Sequence, residues 1–348
     1  MRRIASPAPA ALAPALALAL SACTTTPPVN SLPAVSVIAS GETEPVGTAN
    51  QDAADDPAIW RNRANPQASL IVATDKKAGL YVYGLDGKRR SFEAAGRMNN
   101  VDLVDLGNRG VIVVASDRND PRKAQLQVFR LDTATAKLMR IGAAPGGRGE
   151  AYGLCMAQIG DDLLAYSVLK DGTVQEVRLD PENPSASAPQ RTLRLNTQAE
   201  GCVVDPRDGT LYVGEETRGI WRFQPASSTD KTTGDLVALT DGKHLVADVE
   251  GLAILPESAH GGWLVASSQG DNAYALYHLP DMVPAGRFKI GEGAFGSTQE
   301  TDGIALDGGS FGPAYPEGLF VAQDGDNRPH AQNFKLVSWK AIMKALAQ

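Results

Sequence analysis

Cysteine, histidine and positive charge are all scarce in this 348-residue chain, which has 3 Cys, 4 His and a formal charge of −7. With that charge the average surface repels polyanions, so nucleic acid is excluded as a general partner. An acidic protein that handles a polyanion needs cations as intermediaries. Long Ala/Leu/Glu/Lys stretches are rare as well, which counts against a helical bundle. What is present instead is Gly (35) with moderate Pro (22), a balance that fits short strands joined by many turns. The length allows two ordinary domains or one large all-β domain. The few cysteines do not make a cysteine phosphatase: Arg207 follows Cys202 one residue too early, and Asp208 holds the place required of a phosphate-cradling arginine.

Residues 1–22 read as a cleaved export signal, with Arg2 and Arg3 ahead of an apolar run that Pro14 interrupts. Leu20-Ser21-Ala22-Cys23 resembles a bacterial lipobox, which makes Cys23 the lipidated first residue of the mature chain. The alternative is an ordinary signal peptide with an incidental cysteine. Thr24 in place of Asp after the lipobox implies outer-membrane sorting. Residues 23–34 then form a disordered tether, and 35–348 the folded domain. Export permits a Cys155–Cys202 disulfide, and two buried free thiols are the other reading.

One pattern recurs after the tether. A polar residue followed by a small or turn-forming one opens an apolar run at Asp56-Pro57, Asn100-Val101, Tyr152-Gly153, Glu200-Gly201, Glu250-Gly251 and Asp302-Gly303. The gaps between second positions are 44, 52, 48, 50 and 52 residues. A period of about fifty with strand-like content is that of a four-stranded propeller blade. Six copies predict an all-β, six-bladed β-propeller with four antiparallel strands per blade. The strand-like segment Val35–Ile38 is expected to complete the last blade and close the ring, and 340–348 to form a short terminal helix.

Each repeat also holds two apolar strands joined by a polar hinge, as in LIVATDKKAGLYVY (70–83) and LYVGEETRGIWRF (211–223). In an antiparallel blade the first strand's start and this hinge share one edge, so both polar sets converge around the channel on one face. Blades one to three supply Lys76, Lys77, Arg118 and Lys170; blades four to six supply Glu215, Glu216, Gln269, Asp324 and Asp326. Strand starts add Asp56, Glu200, Glu250 and Asp302, with Asp248 close by. Lys and Arg suit phosphate oxygens, and crowded carboxylates with backbone carbonyls suit Ca²⁺. The alternative is that these acids only bond turn amides or stand solvated at blade ends.

Several segments resemble the β-propeller phytases in order along the chain: DAADDPAIW (52–60), TDKKAGLYVYGLDGK (74–88), NNVDL (99–103), EGCVVDPRDGTLYVGEE (200–216), DVEGLAI (248–254), SSQGDNAYALY (267–277), TDGIAL (301–306) and PEGLFVAQDGDN (316–327). The resemblance implies that Lys76, Arg118, Tyr152 and Lys170 hold phosphate at the cleavage site, with Lys77 and Glu216 near an adjoining phosphate. It implies several calcium ions on Asp56, Glu200, Asp248, Glu250, Gln269, Asp302 and Asp324 and on the carbonyls of Pro57 and Val101, with Glu215 and Asn327 as weaker ligands. Asp171 and Asp117 depart from the Glu and Asn usual in the family.

The activity implied is calcium-dependent release of phosphate, step by step, from inositol hexakisphosphate and its lower esters, bound as calcium complexes by a monomer with a lipid anchor. None of the four histidines sits in an Arg-His-Gly setting, which argues against a histidine acid phosphatase. A six-bladed calcium lactonase and a non-enzymatic envelope-binding propeller are the rivals, and the basic hinge residues discriminate against both.

Overall fold

Blade one shows how this sequence makes a sheet. Leu70–Asp75 and Gly79–Gly84 are apolar runs buried along their whole length, whereas the polar Arg89–Glu93 is mostly exposed. Continuous apolar runs belong to strands covered on both faces, and polar ones to an outer rim. The computed structural model describes residues 30–225 and 232–348; the export signal, Cys23 and most of the 23–34 tether lie outside the described residues.

Six antiparallel sheets form the molecule. Their innermost strands are Ala54–Trp60, Met98–Asp105, Ala151–Ile159, Ala199–Val204, Val249–Pro256 and Ile304–Asp307. From each, the strands that follow it in the chain lie progressively outward, and two N-terminal strands are added at the outer edges of blades five and six. The expected all-β propeller of six four-stranded blades is the fold observed. The apolar core is a set of layers between neighbouring blades: Trp60, Val72, Met98 and Phe129 fill one, and Tyr274, Phe288, Phe320 and Val337 another. Each such ring removed from water contributes roughly 1.5–3 kcal/mol.

Ring closure differs from expectation. Val35–Ile38 does not complete the last blade; it adds to blade five as a fifth strand, parallel to Val283–Gly291. The last blade is completed by Gly41–Glu42, paired antiparallel with Asn333–Ser338. The reason is geometric: the chain rises along blade five and only then crosses to blade six. The helix Trp339–Leu346 buries Trp339 and Ile342 in the layer shared by both blades and covers the added strand.

The repeated dipeptides now acquire a physical meaning. In blades one to five the first strand pair slips register at the same place, between Ala54 and Pro57, Met98 and Val101, Ala151 and Leu154, Ala199 and Cys202, and Val249 and Leu252. Such bulges take residues out of the ladder and re-aim their side chains. Glycine at the second position lets adjacent inner strands touch: a Cβ on Gly153 would lie 1.8 Å from the Glu200 carbonyl oxygen, and one on Gly201 2.0 Å from that of Glu250. Cys155 and Cys202, on the inner strands of blades three and four, are joined by a disulfide. No helix among the described residues is long and apolar enough to cross a membrane.

Gly201→Ala is expected to cost about 3 kcal/mol or more, because backbone rather than a flexible side chain must yield. An unchanged urea midpoint would show that the inner strands can spread apart. Replacing both bridged cysteines by Ala frees a cross-link spanning 47 residues and should remove about 4 kcal/mol by the chain-entropy relation. Equal melting temperatures with and without reductant would contradict that.

Candidate functional site

The bulged residues gather at one mouth of the channel. Asp55, Asp56, Asn99, Asn100, Glu200 and Glu250 are all buried there. The hinges between middle strands bring Lys76, Arg118, Lys170, Glu216 and Gln269 over the same opening. The resulting cavity, about 960 Å³, is lined by Asp52, Lys76, Tyr152, Glu216, Glu250 and Asp302 among others.

Lys76 is the hub of its acidic side. Its ammonium lies 2.8 Å from Asp52, 2.9 Å from Asp55 and 2.9 Å from Asp302. Those three carboxylates hold its pKa above the ordinary lysine value against the opposing effect of burial. Asn99 donates to Asp55 at 2.9 Å and to Glu200 at 2.6 Å, and Gln269 donates to Asp302 at 2.8 Å. Asp56 accepts the Val101 N–H at 3.0 Å. Pro57 and Val101 line a second, lower cavity of about 530 Å³ on the far side of Asp56.

Glu200, Glu216 and Glu250 each offer an oxygen within 4.8 Å of the others. Glu250 Oε2 is buried and has no hydrogen-bond partner. Burial raises the carboxyl pKa of all three, and neighbouring carboxylates add to it, Asp248 in the case of Glu216. Asp302 is pushed up to about 8 by burial, with Asp55 adding and Lys76 opposing. Burial likewise raises Asp56. Crowded carboxylates with an orphaned buried oxygen and no His or Cys fit a hard divalent cation, which takes oxygen ligands in flexible numbers. Asp248, half-buried, lines the same cavity.

The cationic side is built on Tyr152. The Arg118 guanidinium lies 5.3 Å from its ring centre and the Lys170 ammonium 5.2 Å, both within cation–π range. Arg118 is held by Glu150, to which its Nε donates at 3.0 Å, and by Asn99. The Tyr152 hydroxyl accepts from Gln198 at 3.3 Å, and Gln198 donates to Glu216 at 2.7 Å. Burial and the carboxylates of Glu200 and Glu250 raise the tyrosine pKa, so the hydroxyl keeps its proton.

Not every hinge residue joins this cluster. Glu215 is buried in blade four, its carboxylate accepting from Asn196 and Thr197 N–H, the Thr197 hydroxyl and Trp221 Nε1. Asp117 accepts from Asn119 and Gln127, and Asp171 accepts the Thr173 N–H, so both brace turns. Asp326 pairs with Arg328, and Lys77 is exposed. Asp324 faces Lys335, away from the glutamates. The basic and acidic sets are less segregated than their blade order suggests, because Lys76 reaches in among carboxylates. Glu150 and Gln198 escaped the sequence reading, and Asp52, Asp55 and Asn99 entered it only within the segments 52–60 and 99–103, without a role of their own in the site. Asp55 and Asn99 sit one place before the repeat's polar position, and a bulge turns both neighbours inward.

Comparison with known proteins matches residues 6–348 to the family described as Phytase. A curated relative, 3-phytase of Bacillus subtilis (strain 168), is 36% identical over 330 residues, covering 90% of this chain and 86% of its own. Among solved structures, a chain of the crystal structure of the mitotic checkpoint complex aligns with a TM-score of 0.52 and 12% identity, covering 94% of this chain and 86% of that one. At that identity the likeness speaks to fold alone.

A pH dependence follows from the raised carboxyls. Between the ordinary carboxylate range and about 8, the folded chain keeps protons that the unfolded chain has lost, so stability falls as pH rises. In chelator the melting temperature should therefore decline from about pH 5 to about pH 8, and a saturating divalent cation should flatten the decline. A flat profile in chelator would mean that the cluster ionises without cost.

Proposed function

The chain belongs to the phytase family, and on that footing we propose that it releases phosphate stepwise from inositol hexakisphosphate, using calcium ions held by the channel carboxylates. The observation that carries this reading is the meeting of two charge types on one cavity. The acids around Glu250, with its unpartnered buried oxygen, face Tyr152 and its two flanking cations. A polyphosphorylated substrate needs both.

Glu200, Glu250, Asp302, Asp56, Asp248 and Gln269, with the carbonyls of Pro57 and Val101, are the residues proposed to hold calcium. Asp324 belongs to that proposed set by resemblance only. Calcium bound there would supply neutralisation of phosphate charge and Lewis acidity. Arg118 and Lys170 would bind the equatorial oxygens of the phosphoryl group as its charge redistributes, joined by Lys76. The Tyr152 hydroxyl, protonated, would donate to one of those oxygens and fix its orientation. A water molecule would attack phosphorus in line with the departing inositol oxygen, losing a proton to solvent while that oxygen gains one, so that no side chain forms a covalent intermediate. Lys77, exposed, and Glu216, in the glutamate cluster, would hold a neighbouring phosphate and its counter-ion.

The domain reading joins these: residues 1–22 as export signal, 23–34 as tether and 35–348 as the catalytic propeller. The disulfide supports export to an oxidising compartment. Lipidation at Cys23 and outer-membrane attachment, and a monomeric state, complete the proposal.

Phosphate release from inositol hexakisphosphate by residues 24–348 should require calcium and stop in chelator. Lys76→Ala should lower kcat by about 10²–10³-fold, the loss typical of a single charge-stabilising donor. Release that persists in chelator would remove calcium from the scheme, and full activity in Lys76→Ala would remove the lysine from the phosphate site.

A further inference from the structure

Asp324 meets a second lysine, distinct from the Lys76 that stands among the channel carboxylates. Lys335, from the outer part of the last blade, is 1% exposed. Its ammonium lies 2.6 Å from Glu42 Oε2, 3.3 Å from Asp324 Oδ2 and 3.2 Å from Asn327 Oδ1. Asn333 braces Glu42 from the other side: its Nδ2 donates to Glu42 Oε2 at 2.8 Å and to the Thr43 carbonyl at 3.1 Å. Two carboxylates and one amide oxygen make an oxygen cage suited to a hard cation. An ammonium buried this deeply is tolerable only when such a cage surrounds it.

The oxygens come from the two strands that flank Lys335 in the sheet and from the loop after one of them. Glu42 belongs to the two-residue strand that closes the ring, Asp324 ends the middle strand Leu319–Asp324, and Asn327 lies in the loop beyond it. The closing strand has only two ladder positions, Gly41 opposite Leu336 and Glu42 opposite Lys335. Single backbone bonds from Ser40 and Thr43 flank them. So short a ladder gains from a side-chain lock across it. We propose that Lys335 is the resident cation of this cage and locks the N-terminal strand into the last blade, so that ring closure is independent of divalent metal. A divalent ion seated on the same oxygens would meet the ammonium at contact distance, and like charges there repel strongly. This inference takes Asp324 and Asn327 out of the proposed calcium ligands and leaves the rest of the catalytic reading untouched.

Glu42→Gln tests it, because Glu42 is one-third exposed and its amide is nearly isosteric. Melting temperatures are compared for the variant and the unaltered protein in chelator and in saturating calcium. The expected result is a drop of several degrees that is equal in the two conditions, since the partner lost is an ammonium. A drop only in calcium would mean that Glu42 holds a metal ion, and no drop in either would mean that nothing is locked; both overturn the proposal. Lys335→Met gives a second reading: with the ammonium gone, the cage should bind one more calcium ion per chain by titration calorimetry. No extra ion would refute the cage, and if this variant fails to fold, Glu42→Gln decides alone.

Discussion

Repulsion among carboxylates around one axis is the constraint on which the structure turns. Inner strands from neighbouring blades touch through glycine, and the bulge beside each contact aims its polar residue into the channel. Glu200, Glu250, Asp302, Asp55 and Asp56 are thereby brought together in a buried setting. Charges so placed cannot all ionise unless cations or protons compensate them. Lys76 supplies one compensating charge, the raised carboxyls supply protons, and the orphaned Glu250 oxygen points to a further cation.

Such a cluster needs a scaffold stiff enough to hold it. The stiffness comes from apolar layers between blades rather than from a central core, since the centre is the channel itself. Blades three and four are also tied at their inner strands by the disulfide, a short step from Glu200 and Tyr152. Blades five and six are tied at their outer parts by the helix Trp339–Leu346 and by the N-terminal strands. Close-packed layers resist the few tenths of an ångström that would let the acids drift apart.

The cationic side answers a different need. Arg118 and Lys170 both lie over the half-buried ring of Tyr152, and Glu150 holds Arg118 in place. A flexible lysine held over an aromatic face loses less freedom when it binds an anion, which is how preorganised sites gain on solution chemistry. The channel thus presents fixed positive groups opposite a carboxylate set, and the two communicate through Gln198, which bridges Tyr152 and Glu216.

The sequence by itself determined the architecture, because a period of about fifty residues and strand-length apolar runs survive without knowledge of contacts. It also determined most of the channel set, since the repeat's polar position marks the bulge in blades one to five. Three things were decided only by tertiary structure. Ring closure passed from Val35–Ile38 to Gly41–Glu42, because pairing partners three hundred residues away leave no local signature. Cys155 and Cys202 became a bridge only because adjacent inner strands bring their Cα atoms to 5.6 Å. Asp324 and Glu215, alike with Glu216 as hinge acids, were drawn to Lys335 and to a ring of N–H and O–H donors. A side chain's charge is written in the sequence, but which opposite charge it meets depends on the packing of distant strands.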